Sequence, residues 1–208
     1  MGRRLRILVI GASGTLGRAV VAELAPRHDI VTAGSKSGEV RINIADPDSI
    51  AAGLKEAGGH DAVVCAAGAV NFHPLASVEP ARIERSSYGL GLMNKLMGQV
   101  NLALAARDCL SDGGSVTLIS GVTARAPIAA GSSASMVNGA LEAFAMAAAV
   151  EMPRGIRINV VSPTVFEESM AEYGPFFRGF DPVPAARAAR AFSRSVEGLE
   201  TGKTYRVD

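Results

Sequence analysis

The stretch Gly11-Ala12-Ser13-Gly14-Thr15-Leu16-Gly17 constrains this chain more than any other. It follows the apolar run Leu5-Arg6-Ile7-Leu8-Val9-Ile10 and opens the helical pattern Arg18-Ala19-Val20-Val21-Ala22-Glu23-Leu24. A strand stops, three glycines turn, and a helix starts. Without Cβ atoms such a turn lets backbone N–H groups approach a phosphate, and the helix aims its positive dipole end at the anion. A Gly-rich βα turn with no ligand has the same local look. The second strand, Asp29-Ile30-Val31-Thr32-Ala33, arrives at βαβ distance, however, and that context predicts a dinucleotide site at Gly11, Ser13, Gly14, Thr15, Leu16 and Gly17.

At 208 residues, 48% of them hydrophobic and 20% charged, the chain can bury one sizeable core, and residues 1–208 are read as one domain. The balance of 21 basic and 20 acidic residues argues against nucleic acid, which needs a clustered positive excess. No secretory leader is expected, because Ile7 to Ile10 runs straight into the glycine turn, and Gly2 lacks the Ser or Thr at position 6 that myristoylation wants. The apolar segment from Ala143 to Val150, bounded by Glu142 and Glu151, is too short for a membrane span. A cytoplasmic protein is the expectation. Cys65 and Cys109 show neither a disulfide framework nor metal spacing, and His28, His60 and His73 do not cluster with them, so no metal is expected.

Along the chain, strand and helix alternate. Val40 to Ile44 reads as a third strand, and Asp46-Pro47-Asp48 caps a helix to about Gly58. Asp61 to Gly68 is a fourth strand, apolar on both faces as a central parallel strand should be. A helix through Asn94 to Leu110 leads to a fifth strand, Ser115 to Ser120, and a second long helix runs from about Ser133 to Met152. The strand Ile156 to Val161 follows Gly155 and ends at Pro163, and Thr204 to Val207 offers a seventh. Residues 164–182 carry no clear period and read as a loop over the site. The alternation predicts an α/β fold, a doubly wound Rossmann-type parallel sheet of six to seven strands with helices on both faces.

Several anchors together make the chain resemble the short-chain dehydrogenase/reductase family over nearly its whole length. The Gly-x-x-Gly-x-x-Gly turn is similar to that of the family's extended and atypical branches. Asn43-Ile44 sits where the family contacts adenine, and Cys65-Ala66-Ala67-Gly68 resembles its Asn-Asn-Ala-Gly element with Cys65 in place of the first Asn. Gly139 to Phe144 resembles the helix after the family's Tyr-x-x-x-Lys, Arg157 to Pro163 resembles its sixth strand, and Thr201-Gly202-Lys203 its ending. The resemblance implies a nicotinamide cofactor, with Pro163 and Val165 at its nicotinamide end, and a homodimer or homotetramer built through the two long helices.

The family's active site does not carry over. Counting back from Ala140-Leu141-Glu142, its Tyr falls on Ala134 and its Lys on Asn138, its Ser falls on Gly121, and its Asn on Lys95. That phenol exchanges a proton while hydride moves, and its Lys lowers the phenol's pKa. Alanine can do neither. Lys and Asn have traded places, so Lys95 could return an ammonium to the site, within hydrogen-bond reach of Asn138 or of the nicotinamide ribose. Ser120, Ser133 or Ser135 would relay a proton, and Tyr173 would reach in from the loop. The plainer alternative puts Lys95 on a solvated helix face and leaves the serines to cap the following helix. Thr164, where the family has Gly after Pro, implies a reshaped nicotinamide end.

After the second strand, Ser35-Lys36-Ser37 stands where an acid would select NAD, so NADP(H) is favoured over NAD(H). Phe166, Tyr173, Phe176, Phe177 and Phe180 concentrate aromatics in the loop, which could grip an apolar small-molecule substrate or form an oligomer contact. Glu167 and Glu168 argue against a strongly acidic substrate. Three function classes remain. The chain is a reductase with rearranged proton-transfer groups, a degenerate NADP(H)-binding sensor or regulator, or a structural subunit, and the intact glycine turn argues against the last.

Overall fold

A computed structural model describes residues 3–208. β1 (Arg6–Ile10) leads through the glycine turn to α1 (Thr15–Leu24), then β2 (Asp29–Gly34), β3 (Val40–Arg41), α2 (Pro47–Ala57) and β4 (His60–Cys65). A six-residue π-helical segment, Gly91–Leu96, runs directly into α3 (Met97–Cys109), followed by β5 (Leu110–Ile119), α4 (Ser132–Ala148) and β6 (Arg157–Pro163). The short α5 (Met170–Tyr173) and the longer α6 (Ala185–Glu197) precede β7 (Thr204–Val207).

Among the described residues these strands form one seven-stranded parallel sheet in the order β3-β2-β1-β4-β5-β6-β7. Alternation along each strand sorts side chains to two layers. Leu8 and Ile10 of β1, with Val63, Val116 and Ile158, pack under α2, α3 and α4, while Ile7 and Val9, with Val64 and Val161, pack under α1 and α6. This is the Rossmann-type doubly wound architecture that the alternation predicts. The chain reverses direction across the sheet between β1 and β4, which opens a crevice at their carboxyl ends.

Several boundaries differ from the sequence reading. β3 stops at Arg41 because Asn43 turns the chain, its side-chain oxygen accepting from the Ala45 N–H at 3.2 Å. β5 begins earlier, at Leu110, and β6 carries on through Pro163. The segment 164–182 is not bare loop, for it contains a 3-10 turn at Glu167–Ser169 and then α5. α6 has no counterpart in the sequence reading, although Ala185, Ala188, Ala189, Phe192 and Val196 lie buried at helical spacing. Its polar Ser195 is also tied in, bonding Thr117 Oγ1 at 2.7 Å and accepting from Asn159 Nδ2 at 3.2 Å.

Candidate active site

The floor of the crevice is set by backbone that only glycine allows. Gly11 has φ +82°, and its N–H donates to the Ala33 carbonyl at 2.8 Å, holding β1 and β2 together at the turn. A Cβ on Gly17 would stand 2.0 Å from the Gly11 carbonyl oxygen, so α1 can lie against the turn only without one. Gly14 is different. Its nearest neighbour would be 3.4 Å from a Cβ, so no protein atom forbids a side chain there and the space it leaves opens to the crevice. Gly14 caps α1 without a side-chain hydrogen bond, and the first turn holds no acid. The N–H groups of that turn have no intrahelical acceptors and are free for an anion. This cradle fits a dinucleotide pyrophosphate.

One half of the crevice runs from this cradle past Ser35, Lys36 and Ser37 to Asn43 and Ile44, with Ala66, Ala67 and Gly68 as the opposite wall. Ser37 Oγ donates across its mouth to Ser13 Oγ at 2.8 Å. No acidic side chain lines this half among the described residues, and Glu39 is turned away onto the Thr32 N–H and hydroxyl, both at 3.1 Å. Thr15 and Gly17 belong to the first turn of α1 and do not line the wall. Cys65 is fully buried beneath it, its thiol pushed up to about 12 by burial, so it offers a ligand no contact.

The other half continues over Ala66 to Ala69 into a cavity of about 400 Å³, walled in part by Leu16, Lys95, Ser120, Ala134, Asn138, Pro163, Thr164 and Val165. Lys95 is carried by the π segment, where the Met97 N–H reaches back to the Leu92 carbonyl. That wider turn swings the lysine inward, a use of π geometry common at functional sites. Gly68 makes room for it, for at φ +143° a Cβ there would meet Lys95 Cγ at 2.6 Å. Lys95 is only 9% exposed, and its Nζ donates to the Ser120 carbonyl at 3.2 Å. Desolvation lowers its pKa to about 8.

Lys95 therefore does not lie on a solvated face. Nor does it bond Asn138, as one form of the exchange required. Asn138 Nδ2 donates to Thr123 Oγ1 at 2.8 Å, and its side-chain oxygen, like Thr164 Oγ1, is buried without a partner. Both residues line the cavity, but these two atoms are themselves buried behind its surface. The Ser120 hydroxyl donates to Glu142 Oε1 at 2.8 Å, which Ser162 also reaches at 2.8 Å. Its proton is thus committed away from the cavity. Ser133 and Ser135 do not line the cavity, and neither caps α4, whose cap is Gly131.

Tyr173 reaches the cavity from α5, its phenol pKa raised by burial and by Glu172. The sequence reading missed its partner Phe72, which stacks on Phe176 at 5.0 Å between ring centroids and meets Tyr173 at 5.9 Å. Two loops thereby close over the cavity. Phe166 and Phe177 line it as well, and Phe180 packs edge-on against Phe177. A missed second link is Asn94, whose side-chain oxygen accepts from the Ala69 N–H at 2.8 Å and pins the crevice wall to the π segment.

A family model described as Enoyl-(Acyl carrier protein) reductase matches residues 8–205. The chain belongs to the short-chain dehydrogenase/reductase family. It is an oxidoreductase of short-chain dehydrogenase/reductase type, and the family resemblance seen in its motifs holds across the fold. An uncharacterized oxidoreductase of Mycobacterium tuberculosis is 29% identical over 88% of this chain and 74% of its own length. A Listeria innocua protein of solved structure is 49% identical, with a TM-score of 0.93 over 98% of this chain and 100% of that one. A small-chain dehydrogenase solved in complex with NADPH shares the fold, at TM-score 0.84 and 21% identity over 99% of this chain and 97% of its own. Among the described residues no helix is long and apolar enough to cross a membrane, and no group of His, Cys, Asp or Glu is arranged to hold a metal ion.

Proposed function

We propose that this protein is an NADP(H)-dependent reductase of a small carbonyl compound in which Lys95 replaces the family's tyrosine as proton donor. The observation that carries the reading is a buried ammonium at the floor of the cavity, where Ala134 and Asn138 have displaced the family's Tyr and Lys. When bound, NADPH supplies hydride to the carbonyl carbon. The chain's own residues do the rest. Lys95 holds the carbonyl oxygen and gives it a proton, and a pKa near 8 suits that task at neutral pH. Asn138 and Thr164 line the cavity around Lys95, and the Phe72–Tyr173 closure excludes water.

NADP(H) is favoured over NAD(H) by the hydroxyls of Ser35 and Ser37, the Lys36 cation and the absence of a carboxylate on that wall. The dehydrogenase solved with NADPH is a relative in fold that supports the same choice. Lys36→Glu should reverse the preference, weakening NADPH by about 1–2 orders of magnitude while leaving NADH within a few-fold, as read by cofactor fluorescence titration. Equal affinity of the unaltered protein for both cofactors would remove the argument.

The function is tested by titrating NADPH and NADH, then following NADPH consumption over a panel of carbonyl compounds. Binding without turnover would favour the second reading, a cofactor-binding sensor, which the alanine at position 134 supports. In either case we expect a homodimer or homotetramer. Met146 of α4 and Val150 just beyond its end are 63% and 85% exposed, and Met93, Met97 and Leu104 are also exposed on the π segment and α3. A monomer would leave these apolar side chains to water. Met146→Asp should shift the assembly toward monomer in light scattering, and a monodisperse monomer of the unaltered protein at micromolar concentration would contradict the expectation.

A further inference from the structure

Lys95 is the sole charged side chain lining the cavity among the described residues, and it forms no ion pair. Glu167 and Glu168, which on sequence argued against an acidic substrate, do not line it. The Glu168 carboxylate turns outward to accept the Ala185 N–H at 3.0 and 3.1 Å, capping α6. The cavity is therefore an apolar, aromatic-roofed space carrying one buried positive charge. An unpaired buried ion is costly, and a neutral occupant would leave that cost in place. An anion removes it. The Cys65 thiol behind Lys95 stays neutral, and the Glu142 carboxylate makes no ion pair with Lys95, the two being linked only through Ser120.

The hydrogen-bond count narrows the anion. An ammonium has three donors, and Lys95 gives one to the Ser120 carbonyl, leaving two. A 2-oxo acid offers one carboxylate oxygen and the adjacent ketone oxygen on the same side, so both can meet those two donors. Its side chain then faces Phe72, Tyr173, Phe177 and Val165. We propose that the cavity takes 2-oxo acids with apolar side chains, and returns the 2-hydroxy acids, with Lys95 holding carboxylate and ketone together. This rests on the reductase reading for turnover, but not for binding. In the step itself the ketone carbon gains hydride from NADPH and its oxygen gains a proton from the Lys95 ammonium. The products are the 2-hydroxy acid and NADP, and the Lys95 amine regains its proton from water.

The test is a matched pair, 4-methyl-2-oxopentanoate against 4-methyl-2-pentanone, which differ by carboxylate against methyl. Both are titrated calorimetrically into the full chain, free and loaded with NADPH. The oxo acid should bind at least about tenfold more tightly than the ketone, and Lys95→Met should erase the difference. Equal affinities, or no oxo-acid binding to protein that binds NADPH, overturns the proposal and leaves the reductase reading in place. Oxo-acid preference in protein that fails to bind NADPH does the reverse. Should Lys95→Met not fold, the pair measured on the unaltered protein decides alone.

Discussion

Lys95→Met is expected to abolish NADPH-dependent carbonyl reduction and at the same time to make the free protein more stable at neutral pH. The loss should be at least about 10³-fold in kcat, the range of a removed general acid. The gain follows from linkage. Burial takes the ammonium from its ordinary 10.5 to about 8, so between those values the unfolded chain binds the proton and the folded protein does not. Stability then rises with pH across that window and is lowest below it, by up to about 3 kcal/mol. The groups facing Lys95 do not cancel this in the lower part of the window. Below about pH 9 Cys65 and Tyr173 are protonated folded and unfolded alike and the Ser120 carbonyl is uncharged; above it the raised pKa values of Cys65 and Tyr173 oppose the rise. Methionine fills the same channel beside Gly68 without a charge. Denaturant melts at pH 7 and pH 10 should show the stability advantage of the Met variant shrinking as pH rises, while the raised thiol of Cys65 and phenol of Tyr205 lower both proteins toward pH 10. A variant that is no more stable at pH 7 and still turns over would place both charge and proton elsewhere.

Much of this could be read from the chain because its signals are local. The glycine turn, the double-faced apolar strands and the positive-φ Gly155 before β6 each state a backbone requirement that tertiary contacts do not overrule. α6 was not legible in the same way, because its buried face is mostly alanine and its one large anchor is Phe192. Alanine carries little hydrophobic signal, yet the helix packs closely on α1 because those side chains are small. The early stop of β3 depends on one Asn side chain turning back on its own backbone, which strand propensity does not register.

The site was legible by type and not by contact. Lys95 could be named from its position against the family pattern, but its inward direction comes from the π segment, and no spacing in Leu90 to Met97 announces an i to i+5 bond. Its acceptor, a backbone carbonyl at Ser120, is invisible to any reading of side-chain types. The same holds for Phe72, which belongs to the roof only because residues 69–76 fold over toward Phe176 and Tyr173. Glu167 and Glu168 show the converse error. Charge near a loop suggests charge at the site, whereas a helix N-terminus with free N–H groups has the stronger claim on Glu168.

Two glycine substitutions three residues apart should fail in different ways. In Gly17→Ala the new Cβ would lie 2.0 Å from the Gly11 oxygen, 2.7 Å from its carbonyl carbon and 2.8 Å from Ala12 Cα. All three are backbone, so no rotamer change relieves the clash and α1 must move off β1. The Leu16, Val20 and Leu24 face would then lose its fit against Ile7, Val9 and α6. A cost of about 3 kcal/mol or more is expected, roughly 6–12 °C in Tm for a chain of this size. NADPH binding should go with it. In Gly14→Ala the nearest atom is 3.4 Å away, an ordinary contact, so the fold should keep its Tm within about 2 °C. The methyl would nonetheless occupy the space left for an anion at the start of α1, and NADPH affinity should fall by at least about tenfold. Gly14→Ala protein with both Tm and NADPH affinity unchanged would show that the cradle is a packing device and not a phosphate site.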